Sequence, residues 1–229
     1  FQFVLGYTPL ETGIRMLPFA GTMMVFAPTS PRIVERIGTK VTVTLGLTLV
    51  SLGLLSMSLL RVDSSYVDVA WRLMVMAAGM GLTMAPATDS VMGSLPLAKA
   101  GVGSAVNDTT RQVGGALGVA VIGSVLASTY GGKVRDFLTS LGAPVEAIEA
   151  ATSSLGGAAR VAADPRMPAE VGARLMATAD QAFVDAMHRG VLVAAAATAL
   201  GAVMAFVFLP AQARPQDLSE QDGEFAAEH

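Results

Sequence analysis

The feature that most constrains this chain is a recurrence of apolar blocks about twenty residues long. Residues 13–31, 41–60, 73–95, 104–130 and 191–210 are each mostly apolar. At about 1.5 Å of helical rise per residue, each is long enough to cross the roughly 30 Å hydrocarbon core of a bilayer. A helix satisfies its backbone donors and acceptors internally, so it is the form such blocks take in lipid. The expected fold is all-α, a polytopic transmembrane helix bundle of about five complete spans plus a helix stub. The stub is residues 1–5, which are apolar and run directly into Gly6-Tyr-Thr-Pro9. They read as the last turn of an earlier helix, in a chain truncated at its N-terminus.

Composition excludes most other classes. The 229 residues are 52% hydrophobic and only 14% charged, against about 25% charged in ordinary soluble domains, which leaves too little polar surface to wet a globule. The net charge of -3 is spread along the chain, so there is no basic face for nucleic acid. Cysteine is absent, which removes disulfides and thiolate metal sites. His188 and His229 lack the companions of a metal site. Gly79-Met-Gly81 and Gly101-Val-Gly103 lack the third glycine of a dinucleotide loop, and no Gly-Lys-Ser/Thr follows a glycine cluster. Without a convergent nucleophile, base or metal set, no enzyme and no cofactor is expected.

The connections suggest a topology. Residues 6–12 read as a turn and residues 31–40 as a compact basic loop with Arg32, Arg36 and Lys40; residues 61–66 and 96–103 are short links. The excess of Lys and Arg places the 31–40 loop and the C-terminal tail on the cytoplasmic side. The long 130–189 connection should then be extracytoplasmic, with helices of its own. Pro144 can open a short helix through Ala151 that Gly156-Gly157 ends. Residues 169–187 place Val171, Leu175, Ala179, Ala182, Phe183 and Ala186 near one helical face, with Glu170 and Arg174 spaced i, i+4. That helix is expected to lie on the membrane surface, although a plain spacer is the alternative. The resulting division is 1–130 transmembrane helices, 131–186 outer loop with amphipathic helices, 187–210 last span and 211–229 cytoplasmic tail.

Within the spans, Pro18, Pro28 and Pro86 should kink or end their helices. Gly114 and Gly118 lie four apart on one face, and Gly115 and Ala116 widen it into a smooth surface for close helix packing. Gly79, Gly81 and Pro86 make a similar packing run one span earlier. Asp108 and Arg111, spaced i, i+3, would each cost about 2.5–3.5 kcal/mol if isolated at the bilayer centre. Asp108 is only about five residues past Gly103, roughly 7–8 Å of rise, so the pair belongs near the cytoplasmic interface. A structural or gating pair and a direct proton or substrate role both remain open. Asp89, just after Pro86, either caps backbone that the proline frees or titrates.

Two stretches resemble a known family. Pro31-Arg-Ile-Val-Glu-Arg-Ile-Gly-Thr-Lys40 is similar to the loop signature of the major facilitator superfamily, with Glu35 at its acidic position, Arg36 and Gly38 matching its Arg and Gly, and Lys40 at a basic position. Pro31 replaces the leading glycine. Gly79-Met-Gly-Leu-Thr-Met-Ala-Pro-Ala-Thr-Asp89, followed by Gly101-Val-Gly-Ser-Ala-Val-Asn-Asp-Thr-Thr-Arg-Gln-Val-Gly-Gly-Ala-Leu-Gly118, resembles the second half of the fourteen-helix drug:proton antiporters of that superfamily.

The resemblance implies most of the C-terminal half of a transporter in the inner or plasma membrane. Its partners would be the N-terminal half of the same transporter, a small organic substrate, protons and the lipid bilayer. The implied activity is proton-coupled multidrug efflux by alternating access, of the kind that confers antibiotic resistance, with the proton gradient rather than a cofactor as energy source. Glu35, Arg36, Gly38 and Lys40 would form the gating loop. Asp89, Asp108 and Arg111 are the charge-pair, proton or substrate candidates. The alternatives are a transporter of another solute with the same fold, or a non-transport membrane anchor or assembly protein.

Overall fold

A computed structural model describes residues 6–61 and 63–211, and every regular element among them is helical. The stub and residues 212–229 of the tail lie outside the described residues. Helix α1, Pro9–Arg15, opens on a capping box in which Thr8 and Glu11 satisfy each other's backbone N–H groups. It occupies part of the stretch that reads as a turn. The chain breaks at Met16, and α2, Leu17–Ile37, starts with Pro18 in its first turn, where a missing N–H costs nothing.

The expected basic loop is not a loop. Helix α2 continues through Pro28 and Pro31 to Ile37, so Glu35 and Arg36 ride on its final turns. Only Gly38 links it to α3, Thr39–Met57, and its φ of +83° explains the glycine. The charges end the apolar block, and the helix simply runs past them. Helix α4, Tyr66–Met92, begins with a second capping box, between Ser65 and Asp68, and continues through Pro86. After a short 3-10 turn at Leu97–Lys99 comes α5, Ala100–Ser140. Then follow α6, Val145–Ser153, α7, Leu155–Ala162, and α8, Ala169–Phe208.

Four of the described helices, α3, α4, α5 and α8, are long and apolar enough to cross a membrane. Helix α2, at 21 residues, is long enough for the fifth expected span but is not among the helices apolar enough to cross. Side by side, α2 packs on α4, α4 on α3, α3 on α8, and α8 on α5.

Glycines make the closest approaches. A Cβ on Gly79 would fall 2.5 Å from the Gly46 carbonyl oxygen, and one on Gly46 would fall 2.8 Å from the Gly79 carbonyl oxygen, so α3 and α4 touch backbone to backbone. Gly81 meets Phe26 and Ala27 of α2 in the same way. Three contacts set α3 and the turn after it antiparallel to α8: Lys40 Nζ lies 5.0 Å over the Phe206 ring, Ser51 donates to the Ala195 carbonyl at 2.9 Å, and His188 Nε2 meets the Leu60 carbonyl at 2.5 Å.

Those ties span a length comparable to one membrane core. Eighteen residues of α8 separate His188 from Phe206, or roughly 27 Å of rise, close to one hydrocarbon core. Tyr7, Tyr66 and Trp71 stack on Arg15 and Arg72 at the end opposite Lys40, as aromatic and basic residues do at membrane interfaces. Yet α5 and α8 hold 41 and 40 residues, roughly 60 Å each. Their surplus forms, with α6 and α7, a separate bundle, the cap.

The cap has its own core. Tyr130, Val134 and Leu138 of α5 meet Leu175, Ala179, Ala182 and Ala186 of α8, closed over by Ala151, Leu155 and Ala158. Residues 169–187 are therefore not a separate helix but run on into the last apolar stretch. They form the first half of a straight-through helix whose apolar stripe is covered by protein. Nor do Gly156 and Gly157 end a helix. Helix α6 stops at Ser153, Ser154 caps α7, and Gly157 lets α7 approach so closely that a Cβ would collide with the Ala150 carbonyl.

Candidate functional site

The site is the membrane half of α5. Asn107, Asp108, Thr109, Thr110, Arg111 and Gln112 are six polar residues in succession. At about 100° per residue they turn through more than one full circle, so the band is polar on every side. All but Asn107 are exposed. Deeper along the helix, Gly114, Gly115 and Gly118 have open space where a Cβ would stand, as does Gly101. The glycines of α3, α4 and α8 at buried positions behave oppositely, since Gly46, Gly53, Gly79, Gly81 and Gly190 all meet neighbours there.

The contacts of α5 explain this openness. Its membrane half is held on one side by α8, where Gly190 lies against Ile122 and Leu126. Near its start, Gly103 faces Leu95 and Met92 at the end of α4. The rest of its circumference is uncovered among the described residues. Measured from the Gly190 contact, Asp108 lies about 21 Å along α5 and Phe206 about 24 Å along α8. Asp108 is therefore within a turn of the level of Phe206 and Lys40. Arg111 sits one turn deeper, and Gly114 to Gly118 a further one to two turns.

Asp108 and Arg111 form no ion pair with each other or with any described residue within 4.0 Å. An uncovered polar band cannot face hydrocarbon without a penalty of about 2.5–3.5 kcal/mol for each charge near the centre. It needs protein or water against it.

The remaining charged candidates gather at the same end. Glu35 and Arg36 are exposed on the last turns of α2 and have no ion-pair partner among the described residues. Lys40 lies in the first turn of α3, against Phe206. Asp89 is in the last turn of α4, and its carboxylate does not relieve the proline. Pro86 lacks the N–H that would have met the Leu82 carbonyl, and that oxygen is instead satisfied by Ser30 of α2, fully buried, at 3.3 Å. Sequence reasoning missed Ser30 because nothing local distinguishes it from other serines in apolar helices. Pro86 announced a freed carbonyl, but not where the donor would come from.

The opposite end is fixed by different chemistry. Arg72 reaches from α4 to the Ser56 carbonyl near the C-terminus of α3 at 2.9 Å, where a cation suits the exposed carbonyls. Lys133 of α5 pairs with Asp185 of α8 at the base of the cap. In the turn before α8, Arg166 holds Asp164 by two side-chain hydrogen bonds, which lower the Asp164 carboxyl to about 2. Among the described residues no three His, Cys, Asp or Glu side chains gather as a metal site.

The pattern of the Major Facilitator Superfamily matches residues 1–119, just over half of the chain and including all of the polar band. The multidrug efflux pump LfrA of Mycolicibacterium smegmatis is 31% identical over 205 residues, covering 87% of this chain and 40% of the pump. The tetracenomycin C resistance and export protein of Streptomyces glaucescens is 31% identical over 208 residues, 89% of this chain and 38% of that protein. The multidrug resistance protein Stp of Mycobacterium tuberculosis is 36% identical over 127 residues, 56% of this chain and 24% of that protein. The chain spans about two fifths of the length of the first two relatives.

Proposed function

The chain belongs to the major facilitator superfamily, and on that premise we propose that it forms the C-terminal half of a proton-coupled exporter of drugs or other small organic compounds. The family is one of multi-pass membrane transporters, not enzymes. The observation that carries the proposal is the uncovered half of α5, a polar band followed by a glycine face with no partner among the described residues. An N-terminal half of the same transporter would cover it, and the substrate path would run between the two near the midplane.

The finer reading follows the fourteen-helix drug:proton antiporters. The end carrying Lys40 and the C-terminus face the cytoplasm, and the cap stands outside the inner or plasma membrane. Asp108 and Arg111 lie where the two halves would separate at the cytoplasmic side, so they steady or switch that opening, and Asp108 is the first proton candidate. Glu35, Arg36, Gly38 and Lys40 act with them as the gate. Gly38 lets two rigid helices meet at a single residue, and the unpaired charges of Glu35 and Arg36 are free to make and break contacts with the other half. The names of LfrA, the tetracenomycin protein and Stp support drugs as cargo.

The test is ethidium transport by the full-length protein in inverted vesicles, with the proton gradient imposed or collapsed. Gradient-dependent uptake that Asp108→Asn uncouples agrees with the proposal. Uptake indifferent to the gradient removes proton coupling, and unchanged coupling in Asp108→Asn removes Asp108 from the proton path.

A further inference from the structure

The cap is more than a tether between α5 and α8, because its core does not close at the free end. Between the turn leading into α6 and the turn leading into α8 there is a cleft of about 780 Å³, within the roughly 300–1,000 Å³ typical of small-molecule sites. Its floor is apolar, with the fully buried Leu138 at its base and Ala147, Val161 and Met167 on its walls. At the mouth, Leu141 is 50% exposed, and on the neighbouring first turn of α6 Val145 is 66% exposed. These are exposed apolar side chains at the rim of the cleft.

The charges at the mouth are unbalanced. Arg166 is engaged with Asp164 through Nε to Oδ1 at 3.0 Å and Nη2 to Oδ2 at 2.8 Å. Its charge is therefore already answered. Glu146 has no ion-pair partner among the described residues, and Glu149 follows one turn later on α6. The surroundings lean the same way, since residues 131–187 hold seven carboxylates against five lysines and arginines.

We propose that this cleft is a binding site for a small amphipathic organic cation, its apolar body on Leu138 and Met167 and its charge at Glu146. The site stands on the cap alone and does not depend on the exporter reading.

Hydrogen exchange of the full-length protein, with two probes of the same shape and opposite charge, tests it. Tetraphenylphosphonium should slow amide exchange in residues 141–147 and 161–171, and tetraphenylborate should not. Glu146→Gln should weaken that protection about two- to fivefold, the size of one exposed charge pair. Ala147→Trp, which fills the cleft, should abolish it. If Ala147→Trp unfolds the cap, the exposed Glu146→Gln still decides. No slowing in these two segments at saturating phosphonium, equal protection by the borate, or an unchanged response in Glu146→Gln would overturn the proposal. Slowing confined to the spans would also overturn it while leaving the transport reading intact.

Discussion

Ser30 of α2 donates its hydroxyl to the Leu82 carbonyl of α4 at 3.3 Å, the oxygen that Pro86 leaves without its helical donor. A proline that would otherwise weaken a membrane helix thus becomes a point of attachment between two spans. Ser30→Ala should lower stability by about 0.6–1.7 kcal/mol, the range for hydrogen bonds between membrane helices. In a Pro86→Ala background the backbone N–H returns and the same substitution should cost close to nothing. A double-mutant cycle on unfolding in detergent reads the difference, and equal costs in both backgrounds would refute the coupling.

The two glycine faces should respond in opposite ways. Gly79→Ala drives a methyl group against the Gly46 carbonyl and should destabilise the protein by about 1–3 kcal/mol. Gly114→Leu meets open space among the described residues and should leave the unfolding of this half within about 1 kcal/mol of the original, since a helical glycine is itself unfavourable. Transport should nevertheless fall roughly tenfold, the equivalent of about 1.4 kcal/mol of overpacking against the other half. Thermal unfolding and efflux measured side by side separate the two effects.

The cap should melt as a unit distinct from the spans. Leu138 is completely buried in its core, so Leu138→Ala should cost about 2–5 kcal/mol there. Hydrogen exchange should accelerate across residues 130–186 and leave α3 and α4 unchanged. Uniform acceleration through all the helices would show that cap and spans fold as one cooperative body.

Asp164 predicts the cap's response to acid. Its carboxyl is lowered from 3.8 to about 2 by hydrogen bonds from Arg166. A group whose folded value lies below its unfolded value stabilises the fold above the unfolded value, and that contribution is lost as pH falls toward the folded one. The turn at residues 164–166 should therefore hold unchanged down to about pH 4 and loosen only between about pH 4 and 2. Carboxyl chemical shifts across that range measure it, and a midpoint near 4 would contradict the contact.

The sequence disclosed the spans well and their ends poorly. Hydropathy reports the solvent around a helix, not the helix itself. It therefore registers the edge of an apolar block at Tyr130 and again near Val191, while both helices continue for many residues beyond. The missing signal was periodicity. Tyr130, Val134 and Leu138 repeat every four residues, and in α8 the stripe through Leu175, Ala179, Ala182 and Ala186 was visible. A stripe shows that a helix has an apolar face but cannot say whether lipid or protein covers it. For the same reason Glu35 and Arg36 suggested a loop where α2 continues to Ile37. The glycines of α4 and α5 looked alike in sequence, and only the packing separates those held against a neighbour from those left open.

The central claim is that the uncovered half of α5 lines the transport path between two halves, and its surroundings in the whole protein decide it. The chain contains no cysteine, so single cysteines from Asn107 to Gly118 can be placed without background from this half and labelled with a membrane-impermeant maleimide from the cytoplasmic side. Labelling is expected at most of Asn107 to Gln112, slowed by a transported drug, with a periodic pattern along the Gly114 to Gly118 face that changes when the proton gradient is imposed. Complete absence of labelling, insensitive to drug and gradient, would mean that lipid or a static contact covers α5, and would contradict the claim.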